Sequence, residues 1–271
     1  AVLGLKDLAL YPVQAFRKPV PDFLTALIDK GSMTDGQMLM LGVVGSFLFL
    51  LFALKERRVA WWQWGILAAQ MAGLLINFKR GSWFCAIILI GVMVLLHLRW
   101  KAWLLAVVVV VGFLLLPPVQ TRLGELKREF NVEGGGRMTM WFQIAPALIR
   151  EHPGGIGYGC LTNERMRQVF SRVERNRNHL HANGVQVLVE TGWLGLGLYL
   201  AWMVKALMDG VTRVRTGIGG ERAVAWVILL LLLGLLLNGV VEYNFGDTEI
   251  MFVYAVLMGL AAGTASSPKK V

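Results

Sequence analysis

Long apolar stretches recur along this chain at 36–54, 59–78, 81–98 and 102–116, and again at 185–204, 223–241 and 250–264, with Glu190 in the fifth their one acidic or basic residue apart from histidine. Each approaches the roughly 20 residues that a helix needs to cross a hydrocarbon core, so the pattern predicts about seven spans. Between the fourth and fifth lies a long polar stretch, 117–183, in which apolar positions recur at helical spacing only locally. Residues 1–35 are different again: short apolar patches alternate with Lys6, Asp7, Arg17, Lys18, Asp22, Asp29 and Lys30, and Pro12, Pro19 and Pro21 interrupt them. Pro21-Asp22 followed by Phe23, Leu24, Ala26, Leu27 and Ile28 predicts one amphipathic helix lying on the bilayer. The expected fold is an all-α polytopic membrane bundle: an amphipathic segment (1–35), spans one to four (36–116), a long loop containing helices (117–183), spans five to seven (184–264) and a tail (265–271).

Composition agrees, with 56% hydrophobic and 16% charged residues in 271. The formal charge of +10 would suit nucleic acid, but its placement does not. Lys55, Arg57 and Arg58, then Arg99 and Lys101, then Arg213, Arg215 and Arg222, and last Lys269 and Lys270 follow alternate spans and so share one side. The positive-inside rule makes that side the cytoplasm, which puts 117–183 and the acidic turn 242–249 outside. Trp61, Trp62, Trp64, Trp83, Trp100 and Trp103 sit near span ends, where interfacial anchors belong. Cys85 and Cys160 form no ligand or redox pattern. With neither an initiator Met nor a signal-peptide pattern, the numbering is expected to begin inside a longer protein.

Two groups of cations break the charge rule. The outer loop carries ten Lys or Arg (122, 127, 128, 137, 150, 165, 167, 172, 175, 177) against six Glu, a net +4. Long loops cross regardless of charge, so Lys79-Arg80, held in a tight outer turn, is the better signal, because a cation fixed at membrane depth wants an anion or carbonyl. Arg137 is the second: after Gly134-Gly135-Gly136 it opens a helical pattern through Met138, Trp141, Phe142, Ala145, Leu148 and Ile149, and a helix N-terminus disfavours a cation unless an anion joins it. Pro146 should kink this helix. Pro153-Gly154-Gly155-Ile156-Gly157-Tyr158-Gly159 could cradle phosphate, although a plain turn explains it as well.

The strongest candidate for chemistry is 178–186. Asn183 with Gln186 predicts an N-cap and capping-box partner, so a helix starts near Gly184 with His179 and His181 just before it. There the helix dipole favours a neutral imidazole able to accept a proton; the alternative is that His181 merely bonds the helix end. Glu190, nine residues on, is about half a turn out of phase and reads as a buried packing acid.

Lys79-Arg80-Gly81-Ser82-Trp83, then Gly136-Arg137 with Trp141, Pro153 and Gly157-Tyr158-Gly159, and then His181 with Gly192 and Gly195 together resemble the bacterial O-antigen ligase and polymerase superfamily across about 36–264. Ala182 stands where that family has a small amide or hydroxyl residue, with Asn183 one place later. The resemblance implies a GT-C-like bundle that performs metal-independent, inverting glycosyl transfer on the periplasmic face, without a cofactor. The donor it implies is an undecaprenyl-diphosphate-linked glycan, the acceptor a sugar hydroxyl of lipid A-core or of another glycan. It assigns the catalytic base to His181, with His179 second, and diphosphate binding to Arg80 and Arg137, with Lys79 and Asn183 as weaker candidates. Ligase and polymerase share this chemistry; ligase is the reading adopted. A non-catalytic lipid-glycan transporter would also want outward cations, but no histidine at a helix start. A metal site of His152, His179 and His181 would lack a convincing completing ligand.

Overall fold

In the computed structural model, the described residues are 33–77, 79–97, scattered positions between 104 and 115, 117–124, 131–133, 136–171, 173 and 178–263. The amphipathic segment expected at 1–35 and the tail at 265–271 lie almost wholly outside them, and span four lies largely outside. All regular structure among the described residues is helical: α1 (Met33–Lys55), α2 (Trp61–Asn77), α3 (Arg80–His97), α4 (Pro117–Gly124), α5 (Arg137–Thr139), a π-turn (Met140–Ile144), α6 (Ala145–Glu151), α7 (Asn163–Val169), α8 (Asn183–Thr216), α9 (Gly220–Val241) and α10 (Thr248–Ala262). Four of these, α1, α3, α8 and α9, are long and apolar enough to cross a membrane. The stretches expected as spans two and seven form the shorter α2 (17 residues) and α10 (15 residues), which are not among those four.

The chain forms two compact units, residues 1–118 with 206–238 and 247–271, and residues 119–205 with 239–246. In the first unit α1 is the central helix, burying Leu39, Met40, Val43, Val44 and Leu48. It packs on α2, α3 and α10. Membrane helices gain little from hydrophobic burial against one another, so close approach and internal hydrogen bonds matter more. Gly42 supplies the first, since a Cβ there would fall 2.8 Å from Gln70 Nε2 on α2. Ser46 Oγ supplies the second, donating to Gln70 Oε1 at 2.7 Å. The hydroxyl of Thr34 donates to Asp247 Oδ2 (2.8 Å), tying the start of α1 to the residue before α10. At the opposite end Arg222 donates to the Val214 carbonyl (3.0 Å) and Arg213 to the carbonyls of Leu260 and Gly263, so basic side chains satisfy helix-terminal acceptors.

One expectation about the tryptophans is corrected here. Trp83 is no interfacial anchor: it is 4% exposed, and its indole N–H donates to the Leu74 carbonyl in the last turn of α2 at 2.6 Å. A buried indole needs a partner for its single donor, and this one fastens α3 to α2 and so fixes the turn that carries Lys79 and Arg80. Trp61, Trp62 and Trp64 are exposed, as anchors would be.

The second unit shows that the long polar stretch is a folded body with its own core. Met140, Ile144, Ala145, Leu148, Leu161, Met166, Val173, Leu180 and Val189 are buried together, with Trp141, Ile149, Ile156, Phe170 and Val185 packed around them. Pro146 interrupts the first helix as expected, and the interruption is the π-turn just before it. Proline lacks an N–H and crowds the carbonyl four residues back, and a widened turn accommodates both defects. The short α7 was missed in the sequence, although Thr162 caps it by accepting from Arg165 N–H at 3.3 Å.

Candidate functional site

The segment 178–182 is clamped at Leu180, between its two histidines. The Leu180 side chain is fully buried in the core, its N–H donates to Gln186 Oε1 (2.9 Å), and its carbonyl accepts from Trp141 Nε1 (2.7 Å). With both peptide groups engaged, His181 is held in the left-handed region at φ 51, a conformation costing a non-glycine residue energy that surrounding contacts must offset. The predicted capping arrangement is therefore corrected. Gln186 does reach back to a backbone N–H, but to that of Leu180, and α8 begins at Asn183 itself.

Asn183 is fully buried and its amide serves another segment. Its Oδ1 accepts from the N–H groups of Asn244 (2.9 Å) and Phe245 (3.3 Å), and its Nδ2 donates to Asn244 Oδ1. Phe245 then meets the rings of Tyr199 and Trp202 edge-on. These contacts dock the turn 239–246 on the start of α8.

The docked turn delivers Glu242. Its Oε2 lies 3.2 Å from His181 Nδ1, and its Oε1 accepts from the Arg137 guanidinium. Both His181 and Glu242 are buried, while the Arg137 side chain is 22% exposed. Burial alone would raise the Glu242 carboxyl; the hydrogen bond from His181 and the charges of Arg137, His181 and His179 outweigh it and hold the group below its ordinary value. An ionised carboxylate at Nδ1 selects the tautomer with the proton there and leaves the lone pair on Nε2, the orientation a general base needs. The anion that the first turn of the Arg137 helix called for is thus supplied by the chain itself.

A second device stiffens the same helix. Gly192 breaks α8 at φ 69, ψ −169, and the carbonyls near the break find partners in the Gly-rich turn: Ile156 N–H donates to Val189 (3.0 Å) and Gly157 N–H to Glu190 (2.9 Å). A Cβ on Gly192 would lie 2.6 Å from the Gly154 carbonyl carbon and one on Gly155 would run into the Glu190 carbonyl oxygen, so the two backbones touch only because neither Gly192 nor Gly155 carries a side chain. Of the two readings of 153–159 the turn is favoured, since the N–H groups of Gly155, Ile156 and Gly157 are spent on protein carbonyls. Glu190 is buried as expected, and its partner is Gln186, whose Nε2 donates to it at 2.9 Å.

Of the predicted site residues, His179, His181, Arg137 and Asn183 fall in the second unit, and Lys79 and Arg80, both half-buried, in the first. Glu242 is not among the predicted site residues: in the sequence it belongs to the outer acidic turn, although an acid directly following an apolar span is itself a signal. His152 is exposed at the end of α6, and among the described residues no three His, Cys, Asp or Glu converge as a metal site.

The described residues are helical, four of their helices are long and apolar enough to cross a membrane, and a buried histidine and an arginine share one carboxylate. The O-antigen ligase family model matches residues 65–200, half of the chain, and the chain belongs to that family. The match takes in Arg80, Arg137, His181 and the Gly192 break, and stops short of Glu242. No curated protein matches the chain.

Proposed function

We propose that this protein transfers a glycan from undecaprenyl diphosphate to a sugar hydroxyl of lipid A-core, at the periplasmic face of the bacterial inner membrane. The observation that carries the reading is the Glu242 carboxylate shared between His181 Nδ1 and Arg137. In the step, His181 Nε2 takes the acceptor hydroxyl proton as the oxygen attacks the anomeric carbon. The bond from that carbon to the phosphate oxygen breaks with inversion, and undecaprenyl diphosphate leaves. Glu242 stabilises the imidazolium that forms. Negative charge grows on the leaving diphosphate, where a guanidinium stabilises it without a bound metal. We assign this role to Arg137, whose side chain stays partly exposed beside Glu242, and to Arg80, by the motif resemblance alone.

Reconstitution with a lipid-diphosphate glycan and separate acceptors tests the proposal. Product on lipid A-core is expected. Lengthened lipid-linked glycan would make the protein a polymerase, and glycan crossing the bilayer without covalent transfer would make it a transporter.

A further inference from the structure

Beside the buried base stand two rings that the transfer step does not use. The His179 and His181 rings meet edge-on with centroids 4.3 Å apart, and the Tyr243 ring lies at 30° to His179 with centroids 6.0 Å apart. Rings in direct face contact sit about 3.5 Å apart, so at 6.0 Å the near-parallel His179 and Tyr243 are offset sideways and form a stepped shelf instead of a closed stack. His181, Glu242 and Asn244 are buried, whereas His179 and Tyr243 are half-buried, which places the shelf at the rim of the base. Tyr243 is also held in place. Its neighbours Glu242 and Asn244 are fixed to His181 and Asn183, and its ring lies over Gly246, where a Cβ would come within 2.7 Å of Cε1.

We infer that His179 and Tyr243 form a binding subsite for the pyranose ring that carries the attacking hydroxyl. The inference rests on the proposed function, because the group whose proton His181 takes must lie within one ring's width of the imidazole. A pyranose presents a face of polarised C–H bonds, and the negative face of an aromatic ring is the complementary surface. No charge is required of the acceptor, and the shelf supplies none beyond what His179 can carry. Glu242 therefore has two tasks on one backbone: its side chain orients the base, and its successor Tyr243 presents the acceptor to it.

Saturation-transfer NMR on the full chain in detergent tests this, with methyl β-D-glucopyranoside, methyl β-D-galactopyranoside and methyl α-D-mannopyranoside as probes and glucitol as an open-chain control. Transfer to ring C–H protons of at least one pyranoside, and none to glucitol, is expected. Tyr243→Phe should keep the signal, whereas Tyr243→Ala should lose about five- to tenfold, the range a single aromatic contact supplies. Should Tyr243→Ala not fold, Tyr243→Leu, apolar but without a ring, asks the same question. His181→Ala should keep the signal although it slows turnover, so the subsite and the catalytic reading fail separately. Equal transfer to the parent and to Tyr243→Leu, equal transfer to glucitol, or no transfer to any pyranoside would overturn the subsite.

Discussion

A carboxylate withdrawn from water must be repaid by partners, and Glu242 has two of opposite chemistry, an imidazole and a guanidinium. Because its folded-state value lies below the ordinary one, its contribution to stability is complete above the unfolded-state value and is lost as pH falls through the folded one. Glu242→Gln removes that dependence while keeping the side-chain shape. We expect parent protein to melt above Glu242→Gln at neutral pH, with the gap beginning to close below about pH 4. A gap that stayed constant from neutral to acid would show that the carboxylate is not held ionised by its neighbours. At this scale the sequence was half legible. His181 and Arg137 were visible because a histidine before a helix and an arginine within its first turn both break local rules, but nothing local showed that one acid 61 positions beyond His181 would serve both.

At the scale of the element, α8 shows why the spacing from His181 to Gly192 and Gly195 matters. The helix is broken at a conformation open only to glycine, and the Gly-rich turn plugs the break. Gly192→Ala should cost about 2–4 kcal/mol from the forced φ together with contact against Gly154. Gly197→Ala, where a Cβ meets nothing within 4 Å, should be neutral or slightly stabilising. Denaturant midpoints for the two variants check the contrast, and equal midpoints would remove the lock. The hydrophobic pattern located this helix as span five but ended it at 204, whereas α8 continues to Thr216. Periodicity marks the apolar part of a helix and says little about a polar extension. It also could not foresee Asn183 serving a distant turn, since an asparagine before an apolar run has the same local signature whether it caps its own helix or reaches elsewhere.

For the whole molecule, apolar runs revealed the class because a membrane imposes length and helicity on any segment that crosses it. The folded character of 117–183 was hidden, because its core is assembled from short, separated apolar groups and from Leu180 and Val189 beyond a polar stretch. Orientation is a prediction that the native cysteines can report. Cys160 is exposed in the second unit and Cys85 is buried in α3. A membrane-impermeant maleimide applied to spheroplasts should label Cys160 without permeabilisation. In a Cys160→Ser background, a cysteine replacing Arg58 should react only after lysis; the reverse pattern would invert the topology.

The central claim is that His181 and Glu242 act as one base, and a double-mutant cycle on single-turnover transfer to lipid A-core addresses it most directly. His181→Ala should slow transfer by on the order of 10²-fold or more while leaving donor affinity nearly intact, and Glu242→Gln should also cost on the order of 10²-fold. Combined, the two should cost scarcely more than His181→Ala alone, because a residue that works by orienting the base has nothing left to orient. Costs that multiplied in the double variant would separate Glu242 from the base, and His181→Ala transferring at the parent rate would contradict the account outright.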